Sequence, residues 1–164
     1  MSGESKNQGL PLFSKLVFYG LNGFCFEIVF TALWFFFDPA YNYGWKLHGS
    51  NSLWSFPMYG IAIYVIEIIY KAMRDKFVFP LRMIVYIAWI YIWEYSCGYV
   101  LRMFDACPWD YTDYTTYHIN GLINFDYIPL WATAVFLCEK ITFKIAFSLS
   151  YHSVDSVNEK VKAH

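Results

Sequence analysis

Residues 83–111 read MIVYIAWIYIWEYSCGYVLRMFDACPWDY, and the reading of their first twenty positions decides the fold. Between Met83 and Leu101 the only charged side chain is Glu94. Twenty residues of helix rise about 30 Å, the thickness of a bilayer's hydrocarbon core, so the stretch is expected to be a membrane helix. A carboxylate in its middle costs a few kcal/mol or more if it meets lipid, so Glu94 is expected to face other helices. Past Arg102 the run gives way to an acidic, aromatic loop holding Asp105, Cys107, Pro108, Trp109, Asp110 and Tyr111.

Working outward, the 164 residues suffice for one domain, and a composition 58% hydrophobic with only 15% charged is that of a chain whose surroundings are a lipid bilayer. A net charge of -1, with the basic residues set around the apolar runs instead of in one patch, excludes nucleic acid as a partner. Cys25, Cys97 and Cys138 fall inside apolar runs and only Cys107 lies in a loop, so no disulfide framework is expected and Cys107 reads as a free thiol. The first apolar run is too long for a cleaved signal and reads as a retained span.

The expected fold is an all-α membrane protein of four transmembrane helices. A polar segment, residues 1–15, precedes a transmembrane domain over 16–150, with spans at about 16–37, 53–70, 80–103 and 125–147, and a polar tail follows over 151–164. Asp38-Pro39 ends the first span, and Pro80 suits the first turn of the third. Lys71 follows Glu67 by four residues, which pairs them on one helix face. The connection between the second and third spans holds Lys71, Arg74, Lys76 and Arg82, so that loop and both termini are expected to be cytoplasmic.

The second and fourth spans align by their prolines, PMYGIAIYVIE over 57–67 with PLWATAVFLCE over 129–139, so that proline, aromatic, alanine and glutamate coincide. The first and third match more loosely, FCFEIVFT around Glu27 with YIWEYSCG around Glu94. The chain therefore reads as two tandem helix hairpins in one orientation, an arrangement that recurs in membrane transport folds. Each helix contributes one glutamate, with Glu67 and Glu139 toward the cytoplasm, Glu27 and Glu94 nearer the middle, and all four directed at one bundle axis.

EIVFTALWFF over 27–36, SLWSFPMYG over 52–60, WEYSCGYVLRMFDACPWDYT over 93–112 and GLINFDYIPLW over 121–131 resemble the transmembrane protein 229 family, across nearly the whole membrane region. That family is similar to a bacterial group carrying an ABC-transporter type IV label. The resemblance implies a small multi-pass protein with a transport label and no catalytic residues to carry over. The chain has no GxxxxGK[ST] loop, so an ATP-driven role would need a separate nucleotide-binding partner.

Glu27, Glu67, Glu94 and Glu139 are the candidate substrate or ion site, against the alternative that they are interhelical glue bonded to Tyr, Trp, Asn22, Thr31 or Lys71. Arg102, Asp105, Cys107, Pro108, Trp109, Asp110 and Tyr111 form a candidate outer-loop motif. It either gates the outer mouth and meets a headgroup with Trp109 and Tyr111 at the interface, or makes a rigid turn in which Asp105 or Asp110 pairs with Arg102. With no histidine in any span a metal site is not expected, nor is any cofactor. The expected role is transport or that of a membrane subunit, in the bilayer and with a second copy or another membrane subunit as partner. The rival roles are a lipid-modifying enzyme and a structural partner protein.

Overall fold

A computed structural model describes residues 10–40 and 43–149, and it is mostly helical. The polar N-terminal segment lies mostly, and the C-terminal tail wholly, outside those residues. Among the described residues three helices are long and apolar enough to cross a membrane: α1 (Leu12–Phe37), α2 (Ser55–Met73) and α3 (Phe79–Arg102). Many large apolar side chains face outward, while Glu67, Arg82 and Glu139 are buried. On α3, Ile84 and Ile92 are each 62% exposed while Arg82 is 7% exposed, the reverse of a water-soluble bundle.

Each helix boundary has a local cause. Pro11 caps α1, whose first turn takes in Lys15, four positions earlier than polarity alone suggests, because Lys15 is needed inside the bundle. Likewise α2 runs on past Tyr70 through Lys71. Pro80 sits in the first turn of α3 as expected. α1 and α2 pack most extensively, and a Cβ on Gly60 would lie 2.8 Å from the Leu16 carbonyl oxygen. That is the close approach that small residues allow between membrane helices. α3 is stitched to α2 by two indoles, Trp89 Nε1 donating to the Ala62 carbonyl at 3.2 Å and Trp93 Nε1 to that of Met58 at 3.0 Å.

The fourth helical stretch departs from a single uninterrupted span. A short 3-10 turn, Phe125–Tyr127, leads into α4 (Ile128–Leu137), a π turn occupies Cys138–Thr142, and helix resumes over 143–149. Cys138, Glu139 and Thr142 of the π turn are all buried, and they face the bundle together. Buried Tyr19, Ile66, Tyr86, Val135 and Phe143 make the core where the four helical stretches meet.

In the loop after α3, β1 (His118–Ile119) pairs antiparallel with β2 (Ile123–Asn124), His118 opposite Asn124. Asn120 and Gly121 turn the hairpin, both with positive φ, as an Asn-Gly turn requires.

Candidate functional site

Glu67 and Glu139 each sit in an ion cluster of their own, while Glu27 and Glu94 line one cavity. Glu67, 1% exposed, accepts from Tyr19 Oη at 2.8 Å and Lys15 Nζ at 2.8 Å, and also from Lys71 Nζ, the pair expected from the spacing. Glu139, 6% exposed, accepts from Arg82 through both Nε and the NH2 nitrogen and from Tyr86 Oη at 3.1 Å. In each cluster one helix offers a base and a tyrosine four residues apart, Lys15 and Tyr19 on α1 or Arg82 and Tyr86 on α3, to a glutamate on the helix that follows. Opposite charges with a hydroxyl filling a remaining lone pair are the condition under which buried ions are tolerated.

Glu27 and Glu94 sit further along the bundle and line a cavity of about 350 Å³ between the helices. Tyr59 on α2 donates its hydroxyl to Glu27. Gly23 makes this contact feasible: a Cβ there would stand 2.3 Å from the Tyr59 ring. Glu94 is met differently, from the loop after α3, where Tyr111 Oη donates to Oε1 at 3.2 Å. Burial first, and the neighbouring Glu94 second, push the Tyr111 hydroxyl well above its ordinary pKa, so it stays a proton donor. The other Glu94 oxygen, Oε2, is buried and has no hydrogen-bond partner among the described residues, and the same holds for Trp131 Nε1 on α4. Both residues line the cavity.

The outer-loop motif is knit into a cap. Arg102 donates to Asp110 Oδ2 at 2.9 Å and to the Asn120 carbonyl at 2.5 Å. Asp110 Oδ1 accepts from the Thr112 hydroxyl at 2.5 Å and its backbone N–H at 2.9 Å. Those two Thr112 bonds, with Arg102 adding to them, hold the Asp110 carboxyl below the usual carboxylate range. The Tyr111 N–H donates to the Gly121 carbonyl at 2.8 Å, and Trp109 Nε1 to that of Leu122 at 3.2 Å. Asp105 turns the chain at a φ of 54°, exposed Pro108 follows, and Cys107, a free thiol, donates to the Trp109 carbonyl at 3.3 Å. Of the two pairings considered for Arg102, Asp110 is the partner. Trp109 and Tyr111 turn inward to line the cavity, and Gly98, one turn from Glu94, is filled by Leu122 and Trp109, not by a helix.

No protein-family model matches the chain, and no solved structure matches it.

Tyr127 completes the cap, its ring meeting Phe30 and Trp34 on α1 at 6.1 and 6.2 Å and Tyr111 at 5.5 Å, each edge to face. Among the described residues no three His, Cys, Asp or Glu side chains are grouped to hold a metal ion. His48 stacks near Tyr43, and His118 accepts the Gly121 N–H at 3.0 Å. Sequence reading missed Tyr59, Tyr127 and Trp131 as cavity residues. Tyr59 and Trp131 each stand two positions after the aligned prolines, the one signal that marks them.

Proposed function

We propose that this is a four-span membrane protein of two tandem helix hairpins that acts in transport, or as the membrane subunit of a transport assembly, by holding a small substrate at Glu27 and Glu94. The observation that carries the reading is a cavity of about 350 Å³ inside an apolar-surfaced bundle, walled by two carboxylates of which one has an oxygen without a partner among the described residues. That volume falls in the range of small-molecule sites. An acid kept in the membrane without a charge partner is costly and is retained where it does something.

The tandem repeat is supported by the two ion clusters. Lys15, Tyr19 and Glu27 on α1 have the spacing of Arg82, Tyr86 and Glu94 on α3, and Glu67 and Glu139 lie ten residues after Pro57 and Pro129. The residues over 128–149 would supply the fourth span. With the base-rich end inside, both termini are cytoplasmic. Membership of the transmembrane protein 229 family belongs to the same proposal and rests on the quoted motifs, and a second copy or another membrane subunit is the partner it calls for. A lipid-modifying enzyme is less well supported, since neither Asp110 nor Glu67 lines the cavity, and a pure scaffold has no use for the cavity at all.

Cysteine reactivity tests the proposal. In a background with Cys25, Cys97, Cys107 and Cys138 replaced by Ala, Ser55→Cys and Ala134→Cys place thiols on the cavity wall. In sealed membranes both are expected to react with methanethiosulfonates, the cationic reagent faster than the anionic one, and Glu27→Gln/Glu94→Gln is expected to erase the difference. Thiols inert to both reagents, under conditions in which Tyr117→Cys in the exposed outer loop of the same background reacts, would refute a substrate path.

A further inference from the structure

The two orphaned groups in the cavity, Trp131 Nε1 and Glu94 Oε2, define what can bind there. We infer that the cavity holds a neutral, hydroxyl-bearing amphiphile whose hydroxyl takes the Trp131 N–H and meets Glu94 Oε2, with its apolar part against the hydrocarbon wall. The inference rests on the substrate-site reading above and gives that site a ligand class.

The argument starts from the comparison of the two halves. On the first hairpin, the aromatic two residues after Pro57 is Tyr59, and its hydroxyl reaches Glu27 directly. On the second, the aromatic two residues after Pro129 is Trp131, and its N–H and Oε2 of Glu94 in the same hairpin are both buried and both without partners among the described residues. An unmade hydrogen bond at a buried donor or acceptor costs about 1–3 kcal/mol, and here two such costs fall in one cavity. The cavity thus asks for one acceptor and one donor, and a group that is both would relieve the two together.

Chemistry narrows the group. An indole N–H only donates, so the ligand must accept there. A quaternary ammonium neither accepts nor donates, and a primary ammonium donates to Glu94 but leaves the indole unsatisfied. A carboxylate would bring a third acid beside Glu27 and Glu94. A hydroxyl has one donor and two acceptor sites, and it satisfies Glu94 whether that side chain is ionised or protonated. Water shares this chemistry and would serve the two polar groups, but it gains nothing against the larger, apolar share of the wall, with Phe26, Ile63, Leu130 and Ile141 among its residues. A hydrocarbon chain attached to the hydroxyl fills that remainder.

The test uses the whole protein in lipid nanodiscs and three probes of equal chain length: an ω-bromo primary alcohol, the bromoalkane, and the ω-bromo trimethylammonium salt. Bromine quenches indole fluorescence on contact, and Trp93, Trp109 and Trp131 line the cavity. All three probes partition into lipid and quench outward-facing indoles without saturation. Only the alcohol is expected to add a saturable component. Trp131→Phe, read by Trp93 and Trp109, is expected to weaken that component about tenfold, the loss of one hydrogen bond, as is Glu94→Leu. Trp34→Phe, whose indole lies outside the cavity wall, is expected to leave it unchanged. Should Glu94→Leu fail to fold, Trp131→Phe decides alone. Equal behaviour of alcohol and alkane, or an unchanged Trp131→Phe, overturns the hydroxyl assignment and leaves the substrate cavity standing. A saturable ammonium component in place of the alcohol's does the same. No saturable component from any probe, together with unreactive cavity cysteines, overturns both.

Discussion

Arg82→Met isolates the energetics that hold the second hairpin together. Arg82 is 7% exposed and gives Glu139 two donors, Nε at 3.2 Å and the NH2 nitrogen, while a third donor meets the Phe77 carbonyl before α3 begins. Removing the guanidinium leaves the Glu139 carboxylate, 6% exposed, with only the Tyr86 hydroxyl at 3.1 Å. Breaking a buried pair from one side costs about 3–5 kcal/mol, since the surviving charge is left uncompensated. The matching change in the first hairpin, Lys15→Met, is expected to cost about 1.5–3 kcal/mol, the loss of one hydrogen bond to a charged group, because Glu67 keeps Lys71 and Tyr19. Adding Glu139→Gln to Arg82→Met removes the stranded charge while an amide oxygen still accepts from Tyr86, and it is expected to recover at least half of the loss. The assay is equilibrium unfolding in mixed micelles, run as a double-mutant cycle. Costs for Arg82→Met and Glu139→Gln that simply add, or a Lys15→Met penalty as large as that of Arg82→Met, would refute the reasoning.

Three further outcomes follow from the cap and the charge distribution. Gly98→Val puts a branched side chain where even a Cβ lies 2.7 Å from Leu122 and 3.0 Å from Trp109, and it is expected to cost about 1–3 kcal/mol in thermal unfolding; a neutral result would mean the cap does not seat on α3. Because the folded Asp110 pKa is depressed, its contribution to the loop is present above the ordinary carboxylate range and is lost as pH falls through the depressed value. The protection factor of the Tyr111 amide, its exchange rate divided into the intrinsic rate at each pH, is therefore expected to fall toward acid, with that fall flattened in Asp110→Asn. Tags at either terminus are expected to be cytoplasmic and a reporter inserted at Asn120 is not, read by protease protection in sealed vesicles; a protected terminus would reverse the orientation.

The apolar helices were legible because lipid imposes a rule on composition that needs no tertiary context: about twenty apolar residues make a span. The Glu67–Lys71 pair was legible for a similar reason, being set by one turn of helix. What sequence could not supply was which acid meets which base. Lys15 and Arg82 read as flanking charges, yet each lies inside the bundle on a glutamate more than fifty residues away, and their burial moves the helix start at Lys15. The π turn at Cys138–Thr142 is equally invisible to a periodicity count, since it accommodates contacts made across the bundle by Glu139 to Arg82 and Thr142 to Asn22. The hairpin at His118–Asn124 was within reach, because Asn-Gly at 120–121 is a strong local turn signal, although its neighbours do not alternate as strands usually do. Tyr111 was expected at the interface as loop aromatics often are; its hydroxyl instead turns inward, where Glu94 supplies an acceptor.

The way each cavity acid is satisfied explains why the two halves of the bundle are not interchangeable. Glu27 is served by Tyr59 from the neighbouring helix, and the loop after α1 lies back along that helix, with Asn51 donating to the Phe24 carbonyl and Thr31 bonding Ser50. Nothing from that loop reaches Glu27 among the described hydrogen bonds. Glu94 has the opposite supply: its donor comes from the loop, and the neighbouring helix presents an indole whose N–H stays unspent. A tyrosine at 131 would reproduce the first hairpin and close the site, because a phenol can donate to the carboxylate as Tyr59 does. Trp131→Tyr is therefore expected to stabilise the empty protein while displacing whatever the cavity holds. Thermal unfolding with and without the bromoalcohol reads both effects. A variant that is less stable when empty and still shifts upward with the alcohol would show that the unsatisfied pair is not what keeps the cavity open.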